Sequence, residues 1–172
     1  MLKSYKHFGI ILLCAWIYGA GCGYQFAGSG TFPGNVKQVF ITTFENRTGE
    51  IGLENRFSND LIFEFIRNGS PVAKNRTLAD AVLSGTVASL RLSSISHRDT
   101  STSLERQVTI TLNLELANTD GSIIWSAQGV SDSEDYPVAS EKASTDQNRE
   151  AAISELSKRL AEKIYLRLTE RF

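Results

Sequence analysis

The sequence predicts an α+β two-layer sandwich: a four-stranded mixed sheet with two helices on one face, in the order β-α-β-β-β-α. Three observations carry that prediction. Apolar residues recur at helical spacing over 49–68 and again after Ser144. Between the two, Val108 to Leu116 alternates strictly between apolar and polar side chains, the period of a half-buried strand. Two amphipathic helices laid on one face of a sheet are the simplest way to bury both patterns.

Taken in order, residues 36–42 (Val-Lys-Gln-Val-Phe-Ile-Thr) are rich in β-branched and aromatic side chains and predict the first strand. In 49–68, Leu53, Phe57, Leu61 and Phe65 recur every four residues, joined by Ile62 and Ile66, as one helical stripe. Asn68-Gly69 suits a helix stop, and Pro71 forbids resumption. Residues 81–95 alternate again, with Gly85 the candidate bulge, and a Ser/Thr-rich loop follows over 93–103. In the next strand Val108, Ile110, Leu112, Leu114 and Leu116 point one way, and Thr109, Thr111, Asn113 and Glu115 the other. Asp120-Gly121 makes a tight turn into Ile123-Ile124-Trp125. Ser144 with Gln147 predicts a capping box for the last helix, whose face runs through Ile153, Leu156, Leu160, Ile164, Leu168 and Phe172. Its Glu155, Lys158, Arg159, Glu162 and Arg167 are read as a solvated surface.

Before this domain lie two segments of another kind. Residues 1–21 open with Lys3 and Lys6, run apolar from Phe8 to Ile17, and close on Gly19-Ala20-Gly21, the order of a secretory signal peptide. The apolar run is shorter than the roughly 20 residues of a bilayer-spanning helix, which disfavours an uncleaved anchor. Gly19-Ala20-Gly21-Cys22 resembles the bacterial lipobox, although Gly19 stands where an aliphatic residue is usual. The resemblance implies that Cys22 is acylated and becomes the new N-terminus; Gly23 after it, rather than Asp, implies sorting to the outer membrane. Residues 22–35, rich in Gly and Ser, read as a lipidated tether that Tyr24, Phe26 and Phe32 tack onto the domain. Residues 36–172 form the single folded domain.

Charge and composition narrow the function classes. Two of the 18 basic residues and none of the 19 acidic ones fall in the signal. The mature chain is therefore mildly acidic, a poor general binder of nucleic acid. It keeps one cysteine, which rules out an intramolecular disulfide, and one histidine, His97, in a loop. No metal set, cofactor motif, nucleophile elbow or phosphate loop is present, and the adjacent Glu134 and Asp135 point apart on a strand. Catalysis has no residues to rest on, and binding remains. Arg91, Arg98 and Arg106 around the second hairpin, with Lys142 before the last helix, are the candidate anion ligands. Ordinary surface charge, paired with Asp99, Glu105 and Glu141, is the alternative for each.

Five stretches together resemble the LptE (RlpB) family of lipopolysaccharide-assembly lipoproteins. They are Cys22-Gly23-Tyr24-Gln25-Phe26, Phe44-Glu45-Asn46-Arg47-Thr48 after Val39-Phe40-Ile41, Ala79 to Gly85, Glu105-Arg106-Gln107-Val108-Thr109, and Asp146 to Ala151. The resemblance implies a non-catalytic outer-membrane protein that plugs the β-barrel LptD, supports its assembly and helps deliver lipopolysaccharide to the cell surface. It implies that the Thr109/Thr111/Asn113/Glu115 face docks in the polar lumen and that Arg98 and Lys142 contact lipopolysaccharide; Arg106, from the charge reading, joins them as a candidate. A periplasmic regulator or scaffold of a peptidoglycan-synthesis or secretion complex is the alternative.

Overall fold

The computed structural model describes residues 32–95 and 104–170. The elements are β1 (Val39–Ile41), β2 (Glu45–Asn46), α1 (Leu53–Arg67), β3 (Ala81–Ile95), β4 (Glu105–Asn118), β5 (Ile123–Pro137) and α2 (Lys142–Thr169). The sheet runs β1-β3-β4-β5, and β2 follows β1 along the same side of β3. β1 and β2 lie parallel to β3, while β3, β4 and β5 form an antiparallel meander. The expected class and helix placement hold, but the sheet has five strands rather than four. The addition, Glu45–Asn46, is two residues long and too short to show a period.

Burial follows the patterns closely. Val108, Ile110, Leu112, Leu114 and Leu116 are fully buried and pack in one core with Leu53, Phe57, Leu61 and Phe65 of α1 and Ile153, Leu156, Leu160, Ile164 and Leu168 of α2. Ile66, expected on the same stripe, is instead exposed. Phe172 lies outside the described residues. α1 ends as expected, with Gly69 at positive φ and the Ser70 N–H donating to the Phe65 carbonyl. α2 starts at Lys142 rather than behind a Ser144 cap. Ser144 is inside the helix, and its neighbour Thr145 ties the first turn down, its hydroxyl accepting from the Ala139 N–H at 3.0 Å.

Gly85 is not a bulge. The irregularity in β3 falls between Val87 and Ser89. Gly85 is small because the ring of Phe44 lies on it, and a Cβ there would overlap that ring. The segment after Phe44 folds into a polar corner. The Asn46 amide donates to the Glu50 carbonyl at 2.7 Å and the Glu54 carboxylate at 2.8 Å, while its oxygen accepts from the Thr48 N–H at 3.0 Å. Arg149 of α2 donates to Glu50 at 2.9 Å, clamping the start of α2 to this corner.

The register separates two ends. One, which we term the base, holds the starts of β1 and β3, the β4–β5 turn and the C-terminal ends of both helices. Phe32 enters there, buried and stacked on Phe65 with ring centroids 5.5 Å apart. The opposite, hairpin end holds Ile95, Glu105 and Pro137 in one row and the start of α2.

Candidate docking face

Because strand side chains alternate, β4 divides the domain: one face meets the helices and the other meets no described element. On the bare face Thr109 sits between Arg91 and Ser133, Thr111 between Ser89 and Ser131, and Glu115 between Ser84 and Ser126. The four predicted residues are half-buried by these cross-strand neighbours and not by another layer. The rows hydrogen-bond across the strands. The Thr109 and Ser133 hydroxyls are 2.8 Å apart, and the Gln107 amide donates to Asp135 at 2.8 Å. Over these rows the surface is lined by hydroxyl, amide and carboxylate groups and suits a hydrated partner, while the row at the base, Phe40, Val82, Ala117 and Ile123, is apolar.

Asn113 belongs to this face but has a structural task. Between Leu112 and Leu114 the register against β5 shifts, and Gly129 takes a φ of 68°. The Asn113 side chain accepts the Gly129 N–H at 2.9 Å and holds the bulge. Alternation alone places Asn113 on the face; the bond depends on a register that sequence does not disclose.

The candidate anion ligands are distributed unevenly. Arg98, like Cys22, His97 and Asp99, lies outside the described residues; the flanking Ile95 and Glu105 are at the hairpin end. Lys142 opens α2 at that end, almost fully exposed, and its partner is Asp146 at 3.5 Å. Arg106 is exposed and lies across the strands from Ser94 and Tyr136, which puts it on the helix side of the sheet, while Arg91 lies on the bare side.

Arg159 is a residue whose role the sequence reading missed. It is only 37% exposed and donates to Asp132 at 3.0 Å, to Glu134 and to the Ser133 carbonyl at 2.8 Å. Hydrogen bonding to Glu134 and Asp132 raises its pKa further. Asp132 is pushed up by burial, but hydrogen bonds from Arg159 and the Ser133 N–H, with the charges of Arg159 and Lys163, outweigh that and leave its carboxyl below the ordinary value. Glu134 turns to Arg159 and Asp135 to Gln107, so the adjacent carboxylates do point apart. Lys163 donates to the Ser131 carbonyl at 2.9 Å and Asn148 to that of Pro137 at 2.9 Å. Side chains of α2 therefore cover three carbonyls of the edge strand β5, a common way of blocking sheet-to-sheet aggregation. The helical spacing of Arg159 reads as solvated surface because its partners come from a strand about 25 residues earlier.

Between the helices runs a groove of about 240 Å³, lined by Asp60, Phe63, Glu64 and Arg67 of α1 and by Glu155, Lys158, Arg159 and Glu162 of α2. Its charges are mixed and largely paired: Arg67 binds the buried Glu64 at 2.7 Å, and Lys158 binds Glu155 at 3.2 Å. Among the described residues no cluster of His, Cys, Asp and Glu is arranged to hold a metal.

Comparison with known proteins completes the picture. The family LptE, described as lipopolysaccharide-assembly, matches residues 36–168. The chain belongs to the LptE family. Its general role is therefore in lipopolysaccharide assembly, in an assembly family rather than an enzyme family. Among solved structures, lipoprotein B from Nitrosomonas europaea superposes with a TM-score of 0.56 at 13% identity, covering 86% of this chain and 90% of that one. Rare lipoprotein B from Shewanella oneidensis gives 0.51 at 14% identity over 76% and 92%. A minor lipoprotein from Acinetobacter baumannii gives 0.54 at 11% over 77% and 90%. At these identities the likeness is one of fold. No curated protein matches the chain. In this LptE chain, four of the five motif stretches lie within the described residues: Phe44 to Thr48 is the polar corner, Ala79 to Gly85 leads into β3, Glu105 to Thr109 opens β4, and Asp146 to Ala151 forms the turns of α2 that Arg149 clamps.

Proposed function

We propose that this protein plugs an LptD-type outer-membrane β-barrel, supports its assembly and assists delivery of lipopolysaccharide to the cell surface. The observation that carries this reading is the bare hydroxyl-lined face of β3, β4 and β5. A sheet face that its own chain leaves open is usually apolar where it awaits a dry partner. Here Thr109, Thr111 and Glu115 keep it polar, which matches the wet interior of a barrel. In this role residues 1–21 are removed, Cys22 carries the lipid in the outer membrane, and residues 22–35 tether the domain.

Lipopolysaccharide contact falls to the hairpin end, where Lys142 and Arg106 lie and between whose flanking residues Arg98 is placed in sequence. The groove between the helices, at about 240 Å³, is too small for several acyl chains, and the phosphorylated sugars are the ligand group that guanidinium and ammonium would meet. Depletion of the lipoprotein tests the assembly role. Loss of mature barrel, with the two co-purifying from wild-type cells, is expected; unchanged barrel levels would reject it. A pull-down that recovers a peptidoglycan synthase or secretion assembly and no barrel would favour the scaffold alternative.

A further inference from the structure

We propose that the base of the domain is a membrane-seating platform, which rests on an anionic phospholipid surface through the loop Lys74-Asn75-Arg76-Thr77-Leu78 and its apolar neighbours. This rests on the reading of Cys22 as a lipid anchor. Four of the eight large apolar side chains exposed among the described residues, Ile66, Leu78, Ile123 and Leu166, lie at this end. Exposed basic residues Lys74, Arg76 and Arg167 accompany them.

The acidic groups nearby are mostly engaged within the fold. Glu64 is buried against Arg67, and Asp80 accepts the N–H groups of Lys37 at 2.9 Å and Gln38 at 3.0 Å. Asp120 accepts the Ser122 N–H at 2.9 Å, which holds its carboxyl below the ordinary range. No described carboxylate pairs with Lys74 or Arg76. The loop is braced from within. The Asn75 side chain accepts from the Leu78 N–H at 3.1 Å and the Thr77 hydroxyl at 2.8 Å, so Leu78 is presented outward, 60% exposed, beside the two cations. An apolar side chain flanked by cations is the chemistry of an interfacial anchor, in which the first enters the headgroup layer and the others meet phosphate.

The tether supplies the geometry. Phe32 is fixed at the base, and the ten residues from Cys22 to position 31 span at most about 35 Å. An acyl chain at Cys22 therefore keeps the base close to the bilayer, where weak contacts suffice.

The test uses the mature chain with Cys22→Ser, so that no acyl chain contributes, in co-sedimentation with phosphatidylethanolamine–phosphatidylglycerol vesicles and with phosphatidylcholine vesicles. Binding to the anionic vesicles that weakens with salt is expected. It should fall at least about tenfold in Lys74→Glu/Arg76→Glu/Leu78→Ser and be kept in Lys158→Glu, a charge reversal midway along α2. No preference for anionic vesicles, an unaffected triple variant, or an equal loss in Lys158→Glu would overturn the platform. Mass measurement of the wild-type N-terminal peptide decides the anchor separately: an unacylated Cys22 would sink that reading whatever the vesicles show.

Discussion

The two faces of β4 are interleaved residue by residue, yet they serve opposite ends. Val108, Ile110, Leu112, Leu114 and Leu116 are buried beneath two helices, whereas Thr109, Thr111 and Glu115 meet only their cross-strand neighbours. Stability should therefore reside on one face and recognition on the other, and substitutions one residue apart should separate the two.

The largest expected effect is on the covered face. Leu112→Ala removes a fully buried side chain at the centre of the core and should cost about 3 kcal/mol in urea unfolding. Gly85→Ala on the covered side of β3 should cost about 2 kcal/mol, since the added methyl overlaps Phe44; adding Phe44→Leu should recover part of the loss.

Arg159→Gln lies between these faces, at the edge. With the arginine more than a third exposed, screening limits the expected loss to about 1 kcal/mol at neutral pH. Its pH dependence has a definite sign. Asp132 is depressed in the fold, so its contribution is present above the ordinary carboxylate range and is lost as pH falls through the lowered pKa. Arg159→Gln should flatten that acid limb below about pH 4, which unfolding measured from pH 2 to 7 would record.

The smallest effect on stability is expected from Thr111→Ala on the bare face, within about 0.5 kcal/mol. Asn113→Ala should cost more than Thr111→Ala, because it frees the Gly129 N–H of the bulge. If the two proved equal in thermal unfolding, the bulge clamp would have no weight.

The covered face was the more legible in sequence, for a physical reason. Burial imposes a period, and the period of two in β4 and of nearly four in α1 and α2 survives whatever the tertiary contacts are. Specific polar partners impose none. Arg159 finds Asp132 and Glu134 only once β5 is aligned beneath α2, and Gly85 is small because Phe44, 41 residues earlier, reaches it. The Ser144 cap that the sequence suggests for α2 is absent: the helix starts at Lys142 with no side-chain cap, and only the fold shows that Thr145, inside the first turn, holds Ala139. The bare face was legible as polar, since Thr and Asn alternate with the buried residues, but its use depends on a partner. Of the candidate anion ligands, Lys142 and Arg106 are placed at the hairpin end by the topology of β4 and α2.

The division of labour across β4 is tested most directly by photo-crosslinking in living cells, with a benzoylphenylalanine at position 111 on the bare face or at position 162 on the outer side of α2. A crosslink to a large barrel protein from position 111, absent or far weaker from position 162, is the predicted result. A barrel crosslink from position 162 alone, or none from position 111 when the protein is correctly localised, would contradict it.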